Sequence, residues 1–263
     1  MDSNKLVSTI AVTGLLAAAG AVFMIPNVSQ VQSVKAMTNE RVPLELVLLV
    51  DTSGSVDSGE YALQQQGYVD AFRDADVQER ISDVGGIAVT YIEWSNSSFQ
   101  AVRVPWTKLM TAEDCDAFAD DINGLVRIQS GDTMMAPAIE FAAQQLTTNS
   151  YDSLKWVIDV SGDGKCENWY DTEHGGGDDD DDDDGGGSTG TPWSSVMSSL
   201  PAGDFQINGI CITTKSDVID FYNNVLPQGE GAFAMQVDSF TEFGTAIKAK
   251  LIAEIDHMPS IFD

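Results

Sequence analysis

The chain has few basic residues and only two histidines. Across 263 residues, 13 lysines and arginines stand against 41 aspartates and glutamates, which gives a formal net charge of −28. A surface of this sign repels phosphate backbones and anionic lipid headgroups, which argues against nucleic acid as a partner. His174 and His257 are too few and too far apart in the sequence to indicate a zinc site.

Cysteine is also scarce. The three cysteines are an odd number, so at most one internal disulfide can form. Cys115 shares a helical spacing with apolar neighbours, which predicts a packing role on a buried face. Cys211 lies within an apolar run, and Cys166 directly follows another. A disulfide between them is possible if the two strands are neighbours.

Charge is missing from residues 6–25, an apolar stretch that follows Lys5 and ends before Pro26. Small residues at 34 and 36 have the spacing of a cleavage site, so residues 1–36 are predicted to be a signal peptide. The apolar stretch is also long enough for a membrane span, which leaves an uncleaved N-terminal anchor as the alternative. Either interpretation places the rest of the protein outside the cytoplasm, as a periplasmic, secreted or membrane-tethered domain. Only such an anchor would connect the chain to a membrane.

The remaining residues, 37–263, are enough for one sizeable core and are treated as one domain. Buried strands are predicted at 44–50, 87–94, 101–107, 156–160, 205–212 and 232–237. Helices are predicted at 57–73, 112–125, 134–146, 194–200, 218–225 and 240–255. Turn residues join the second and third strands as a hairpin. The alternation predicts an α/β fold, a Rossmann-like three-layer sandwich with a mostly parallel central sheet, one antiparallel edge strand and helices on both faces.

Residues 165–192 differ from the rest of the domain. They hold seven consecutive aspartates, Asp178 to Asp184, between two glycine triplets. This composition cannot bury enough apolar surface to order itself, so a mobile, exposed acidic insertion is predicted. The aspartate run is interpreted as a solvated loop, because adjacent carboxylates without a defined turn give no fixed cage for Ca²⁺.

A polar loop follows the first core strand directly. Asp51-Thr52-Ser53-Gly54-Ser55 places one carboxylate and two hydroxyls at the carboxyl end of that strand, where open α/β sheets form their ligand sites. Gly54 lets the loop turn tightly, so that the three side chains can face a common point. These are hard oxygen donors, which suit Mg²⁺, Mn²⁺ or Ca²⁺.

This loop resembles the metal-ion-dependent adhesion site of von Willebrand factor A (vWA) domains, in which Asp-x-Ser-x-Ser is completed by a distant Thr and a distant Asp. Here Thr133, directly before a predicted helix, and Asp163, directly after a predicted strand, take those two positions. The resemblance covers roughly residues 42–255. The segments at 91–95, 104–107 and 157–164 are similar to an uncharacterised group of exported proteobacterial vWA proteins.

The resemblance implies a divalent ion, Mg²⁺ first and Mn²⁺ or Ca²⁺ as alternatives, held by five residues: Asp51, Ser53, Ser55, Thr133 and Asp163. It implies that the hydroxyls touch the ion directly, while the two aspartates act largely through water. An open coordination position would then accept a carboxylate from a protein partner, as in a non-enzymatic adhesion or scaffolding module.

Two alternatives remain open at this stage. One is a metal-assisted hydrolase, although no nucleophile and base pair is visible beside the motif. The other is a vWA scaffold that has lost its metal, because Asp132 stands where many relatives carry Gly or Asn.

Overall fold

A six-stranded sheet runs through the middle of the protein. The computed structural model describes residues 39–166, 193–200 and 204–258. The strands lie in the spatial order β3-β2-β1-β4-β5-β6, and every neighbouring pair is parallel except β2 and β3. The predicted mostly parallel sheet with one antiparallel edge strand is therefore confirmed. In chain order the strands are β1 Glu40–Asp51, β2 Ile87–Trp94, β3 Gln100–Leu109, β4 Tyr151–Gly162, β5 Phe205–Ile212 and β6 Ala234–Val237.

Helices cover both faces of this sheet, which confirms the predicted three layers. Helices α1, α2, α3 and α7 pack on one face, and α4, α5 and α6 pack on the other. Their bounds are α1 Ser58–Phe72, α2 Ala75–Asp83, α3 Ala112–Asn123, α4 Met135–Thr148, α5 Trp193–Ser199, α6 Ser216–Asn224 and α7 Phe240–Asp256.

The central strands are buried on both sides, as expected when parallel crossovers place helices on both faces. All eight residues of β2 and all eight of β5 are buried. In β1, Leu48 belongs to one core and Leu49 to the other, because successive side chains of a strand point to opposite faces. The sheet thus separates two hydrophobic cores.

The structure departs from the sequence prediction in a few places. Helix α2 was not predicted, since only Val77 and Ile81 among its nine residues turn inward. Strand β4 begins at Tyr151, five residues before the predicted start, because it stays paired with β1 over that length. The bridge considered between Cys166 and Cys211 is not formed: all three cysteines lie in the described ranges, and each is a buried thiol.

Two predicted segments lie outside the described residues. These are the leader at 1–36 and nearly all of the insertion at 165–192, in which only residues 165 and 166 are described. Among the described residues, no helix is both long enough and apolar enough to cross a membrane.

A buried ionic cluster fastens the last helix to the sheet. The Lys250 ammonium lies 2.6 Å from Asp159 Oδ1 and 2.5 Å from Glu254 Oε1. Asn208 Nδ2 donates to the same Glu254 oxygen at 2.7 Å. Burial raises the pKa of Asp159 to about 7, although the neighbouring Lys250 charge opposes the rise. Asp159 is therefore an internal ion-pair residue.

Replacing Lys250 by Met should destabilise the protein strongly. The variant leaves Asp159 and Glu254 buried without their cation, and breaking a buried pair in this way costs about 3–5 kcal/mol. Urea unfolding followed by circular dichroism measures the change. The matched control is Lys248→Met on the same helix. Lys248 pairs with Asp74 and Asp76 at the surface, so this variant should lose much less stability. Equal losses in the two variants would contradict this account.

Candidate metal centre

The candidate ligands come from segments that the topology brings to one edge of the sheet. Strands β1 and β4 are parallel neighbours, so their carboxyl ends lie together. From β1, the strand order continues through β2 and β3 on one side and through β4, β5 and β6 on the other. Open α/β sheets bind ligands in the crevice where the strand order reverses in this way. Asp51 is the last residue of β1, and Asp163 directly follows the last residue of β4.

Hydrogen bonds fold the loop after β1 back on itself and join it to the end of β4. Asp51 Oδ1 accepts from the Ser53 main-chain N–H at 2.7 Å. The hydroxyls of Ser53 and Ser55 lie 3.2 Å apart, and Ser55 Oγ donates to Asp163 Oδ1 at 2.6 Å. The four side chains predicted from these two segments therefore form one connected set.

The segment before α4 joins the same crevice. The Gly54 N–H donates to the Gly131 carbonyl at 2.6 Å, which holds the loop against that segment. A Cβ placed on Gly164 would lie 3.3 Å from Thr133 Oγ1 and 2.9 Å from its Cγ2, so Thr133 packs directly against the residue after Asp163. The structure thus brings together all five residues singled out in the sequence.

Asp51 is the electrostatic centre of this arrangement. Its side chain is completely buried, and its second oxygen, Oδ2, has no hydrogen-bond partner. Burial raises the pKa of Asp51 to about 7; the Asp163 carboxylate adds to the rise, while the bonds from Ser53 and the charge of Arg127 oppose it. A buried carboxylate oxygen without a hydrogen-bond donor destabilises the fold unless a proton or a cation binds it. The residues present therefore fit a divalent cation with hard oxygen ligands.

Tyr222 reaches the same place from α6. A Cβ built on Gly162 would lie 2.7 Å from Asp51 Oδ2 and 3.0 Å from the Tyr222 hydroxyl oxygen. The hydroxyl is buried without a hydrogen-bond partner, and burial raises the pKa of Tyr222 well above its usual value, with Cys211 and Asp51 adding to the rise. Only glycine at position 162 leaves room for both oxygens.

Hydroxyl oxygens are essential to any metal site here. Within the described ranges, no group of three or more His, Cys, Asp or Glu side chains is placed to hold a metal ion. The crevice supplies two carboxylates, from Asp51 and Asp163. The hydroxyls of Ser53, Ser55 and Thr133, which the sequence singled out, are further hard oxygen donors at this place.

Arg127 supports the loop from outside the crevice and was missed by the sequence analysis. Its Nη2 donates to the main-chain carbonyls of Thr52 and Ser53, both at 2.7 Å. The guanidinium also lies 5.9 Å from the centroid of the Tyr61 ring, in cation–π range. The only signal in the sequence is a basic residue between two apolar ones, Val126 and Ile128, in a chain that has few basic residues.

The strand order and the helices on both faces give an α/β fold like that of vWA domains. The chain belongs to the family described as "Protein of unknown function (DUF1194)", whose model matches residues 41–174 and 180–259. No curated protein matches the chain by sequence.

Solved structures with the same fold include vWA domains and surface proteins. A von Willebrand factor type A structure from Catenulispora acidiphila is 13% identical, with a TM-score of 0.55, and the match covers 81% of this chain and 43% of that one. Proximal thread matrix protein 1 of the mussel byssus, solved with zinc in its MIDAS motif, is 15% identical, with a TM-score of 0.53 and coverage of 83% and 49%. The pilus adhesin SpaC of Lactobacillus rhamnosus GG is 14% identical, with a TM-score of 0.53 and coverage of 82% and 31%. The chain thus spans about half or less of these proteins.

Substituting Gly162 by Ala should disturb the crevice. The new methyl group would press against Asp51 and Tyr222 at 2.7–3.0 Å, and overpacking of this kind costs typically about 1–3 kcal/mol. The matched control is Gly124→Ala, where the nearest atoms lie 3.6 Å from the new methyl. Thermal unfolding of both variants makes the comparison. If Gly162→Ala were as stable as the control, the packing described here would be wrong.

Proposed function

We propose that this protein is an extracytoplasmic, divalent-metal-dependent binding module that engages a carboxylate of a protein partner through its ion. The observation that carries the proposal is the meeting of Asp51, Ser53, Ser55, Thr133 and Asp163 at one sheet edge, where Asp51 also has a buried oxygen without a hydrogen-bond partner. The assigned role is adhesion or scaffolding, without turnover.

The solved relatives support a binding role. They include a pilus adhesin, a minor pilin of Streptococcus sanguinis with a TM-score of 0.52, and a byssus matrix protein whose MIDAS motif holds zinc. The apolar leader predicted at 1–36 supports a location outside the cytoplasm, like that of a pilus or an extracellular matrix.

In this proposal the hydroxyls of Ser53, Ser55 and Thr133 contact the ion, and Asp51 and Asp163 balance its charge. Neutral hydroxyl ligands leave a divalent ion electrophilic, so the bound ion supplies an attraction for an incoming carboxylate. The ion assigned is Mg²⁺, with Mn²⁺ and Ca²⁺ as alternatives that the same oxygen ligands can accept.

Substituting Ser53 by Ala should weaken Mg²⁺ binding by at least about tenfold, because the loss of even an outer partner of a metal site typically costs about 10–100-fold. Calorimetric titration of Mg²⁺, Mn²⁺ and Ca²⁺ into the purified protein measures the effect. Ser153→Ala is the matched control, because Ser153 lies at the start of β4, at the opposite edge of the sheet. If the wild-type protein bound none of the three ions, the proposal would be wrong.

Ion binding should strengthen as the pH rises towards 7 and level off above it. Burial raises the pKa of Asp51 to about 7, so at lower pH the ion must displace a proton from the folded protein. One proton displaced predicts an affinity about tenfold weaker at pH 6 than on the plateau. Titrations in buffers of different ionisation enthalpy should detect about one proton released at pH 6 and almost none at pH 8.

The control for this pH dependence is Asp159→Asn. Burial also raises the pKa of Asp159 to about 7, but this side chain is paired with Lys250 beneath α7. The variant should keep the same pH profile of ion affinity. If the ion affinity of Asp159→Asn no longer depended on pH, the displaced proton would belong to Asp159 and not to Asp51.

A further inference from the structure

Two apolar side chains on either side of Arg127 in the sequence are unusually exposed. Val126 is 72% exposed and Ile128 is 59% exposed. The other exposed large hydrophobic residues in the described ranges lie between 36% and 44%: Leu63, Val102, Met110 and Leu154. Exposed apolar side chains that lie together on a soluble protein commonly mark an interaction site.

These two residues lie on an irregular segment that other side chains hold in place. The Leu125 carbonyl accepts from Gln65 Nε2 at 2.9 Å, and the Val126 carbonyl accepts from Arg103 Nη2 at 2.9 Å. Leu125 packs against the core, and Arg127 turns inward to its two carbonyl partners. The inward residues therefore alternate with the outward pair Val126 and Ile128, and this pair, the apolar patch, is presented on anchored backbone.

Arg127 joins the apolar patch to the candidate metal centre. Its guanidinium is bonded to the carbonyls of Thr52 and Ser53, in the loop that carries the proposed ion ligands. The patch is therefore one side chain's length from the loop. The backbone that presents the patch is held by hydrogen bonds from Gln65 and Arg103, so it is fixed before a partner binds. Surfaces fixed before binding lose less conformational freedom on association.

We infer that Val126 and Ile128 are the second half of the binding surface, and that the partner is a protein segment with an aliphatic or aromatic side chain within about three residues of its carboxylate. Three extended residues span at most about 10–11 Å, and a single side chain, that of Arg127, bridges the patch and the loop. The apolar patch supplies the attraction that distinguishes such a segment from other carboxylates. This inference rests on the proposed function, since the ion holds the carboxylate.

A displayed peptide library tests the inference. Each peptide carries a central Asp or Glu with three random residues on either side, and the library is selected on the purified protein in Mg²⁺ and eluted with EDTA. The expected result is enrichment of aliphatic or aromatic residues next to the acid. Absence of Mg²⁺-dependent enrichment, or enrichment without apolar residues, would overturn the inference.

The second arm uses the double variant Val126→Ser with Ile128→Ser. Its affinity for the best selected peptide, measured by fluorescence anisotropy, should fall at least about tenfold, while its affinity for Mg²⁺ alone stays that of the wild type. The matched control is Leu63→Ser with Leu154→Ser, which replaces two exposed apolar residues elsewhere and should leave peptide binding unchanged. Unchanged peptide affinity in the first double variant would refute the role of the patch. Titration of Mg²⁺ alone separates that outcome from failure of the proposed function, because it involves no peptide.

Discussion

The buried carboxylate of Asp51 is the feature on which the rest of this structure depends. One of its oxygens accepts the Ser53 N–H, and the other lies without a partner beside Gly162 and the Tyr222 hydroxyl. A charge kept out of water is costly unless an opposite charge accompanies it, which is why the pKa of Asp51 rises. A cation at the crevice would offset that cost, which is the physical basis of the proposed ion binding.

Strand β4 connects this crevice to the ionic cluster under the last helix. Asp159 and Ser161 are two residues apart and lie on the same face of the strand. Asp159 pairs with Lys250 of α7, and Ser161 and the Tyr68 hydroxyl of α1 are hydrogen-bonded at 3.0 Å. Asp163 follows the strand and accepts from Ser55. Polar residues at alternate positions thus tie β4 to two helices and then to the candidate metal centre. A shift of one residue in the register of β4 would turn all of these side chains to the other face of the sheet.

Much of the fold was predictable, because its signals are local. The apolar run before Asp51 indicated a strand buried on both faces. The helix predicted from residue 57 begins there, and Asp57 and Glu60 form both halves of a capping box. Helix α2 was missed because its sequence contributes only two side chains to the core, too few for a periodic pattern. The early start of β4 was missed because residues 151–155 are mostly polar and give no apolar run, while pairing with β1 sustains the strand there.

The sequence by itself determined which residue types are available at the carboxyl ends of the strands: an Asp-x-Ser-x-Ser loop, a threonine before a helix and an aspartate after a strand. It could do so because a motif and its neighbouring strand are contiguous in the chain. Only the tertiary structure decided that Ser55 meets Asp163, that Arg127 secures the loop by its carbonyls, and that Val126 and Ile128 face solvent beside it. Such contacts join residues about 70–110 positions apart, and their partners include main-chain carbonyls, which every residue carries and no sequence pattern can distinguish.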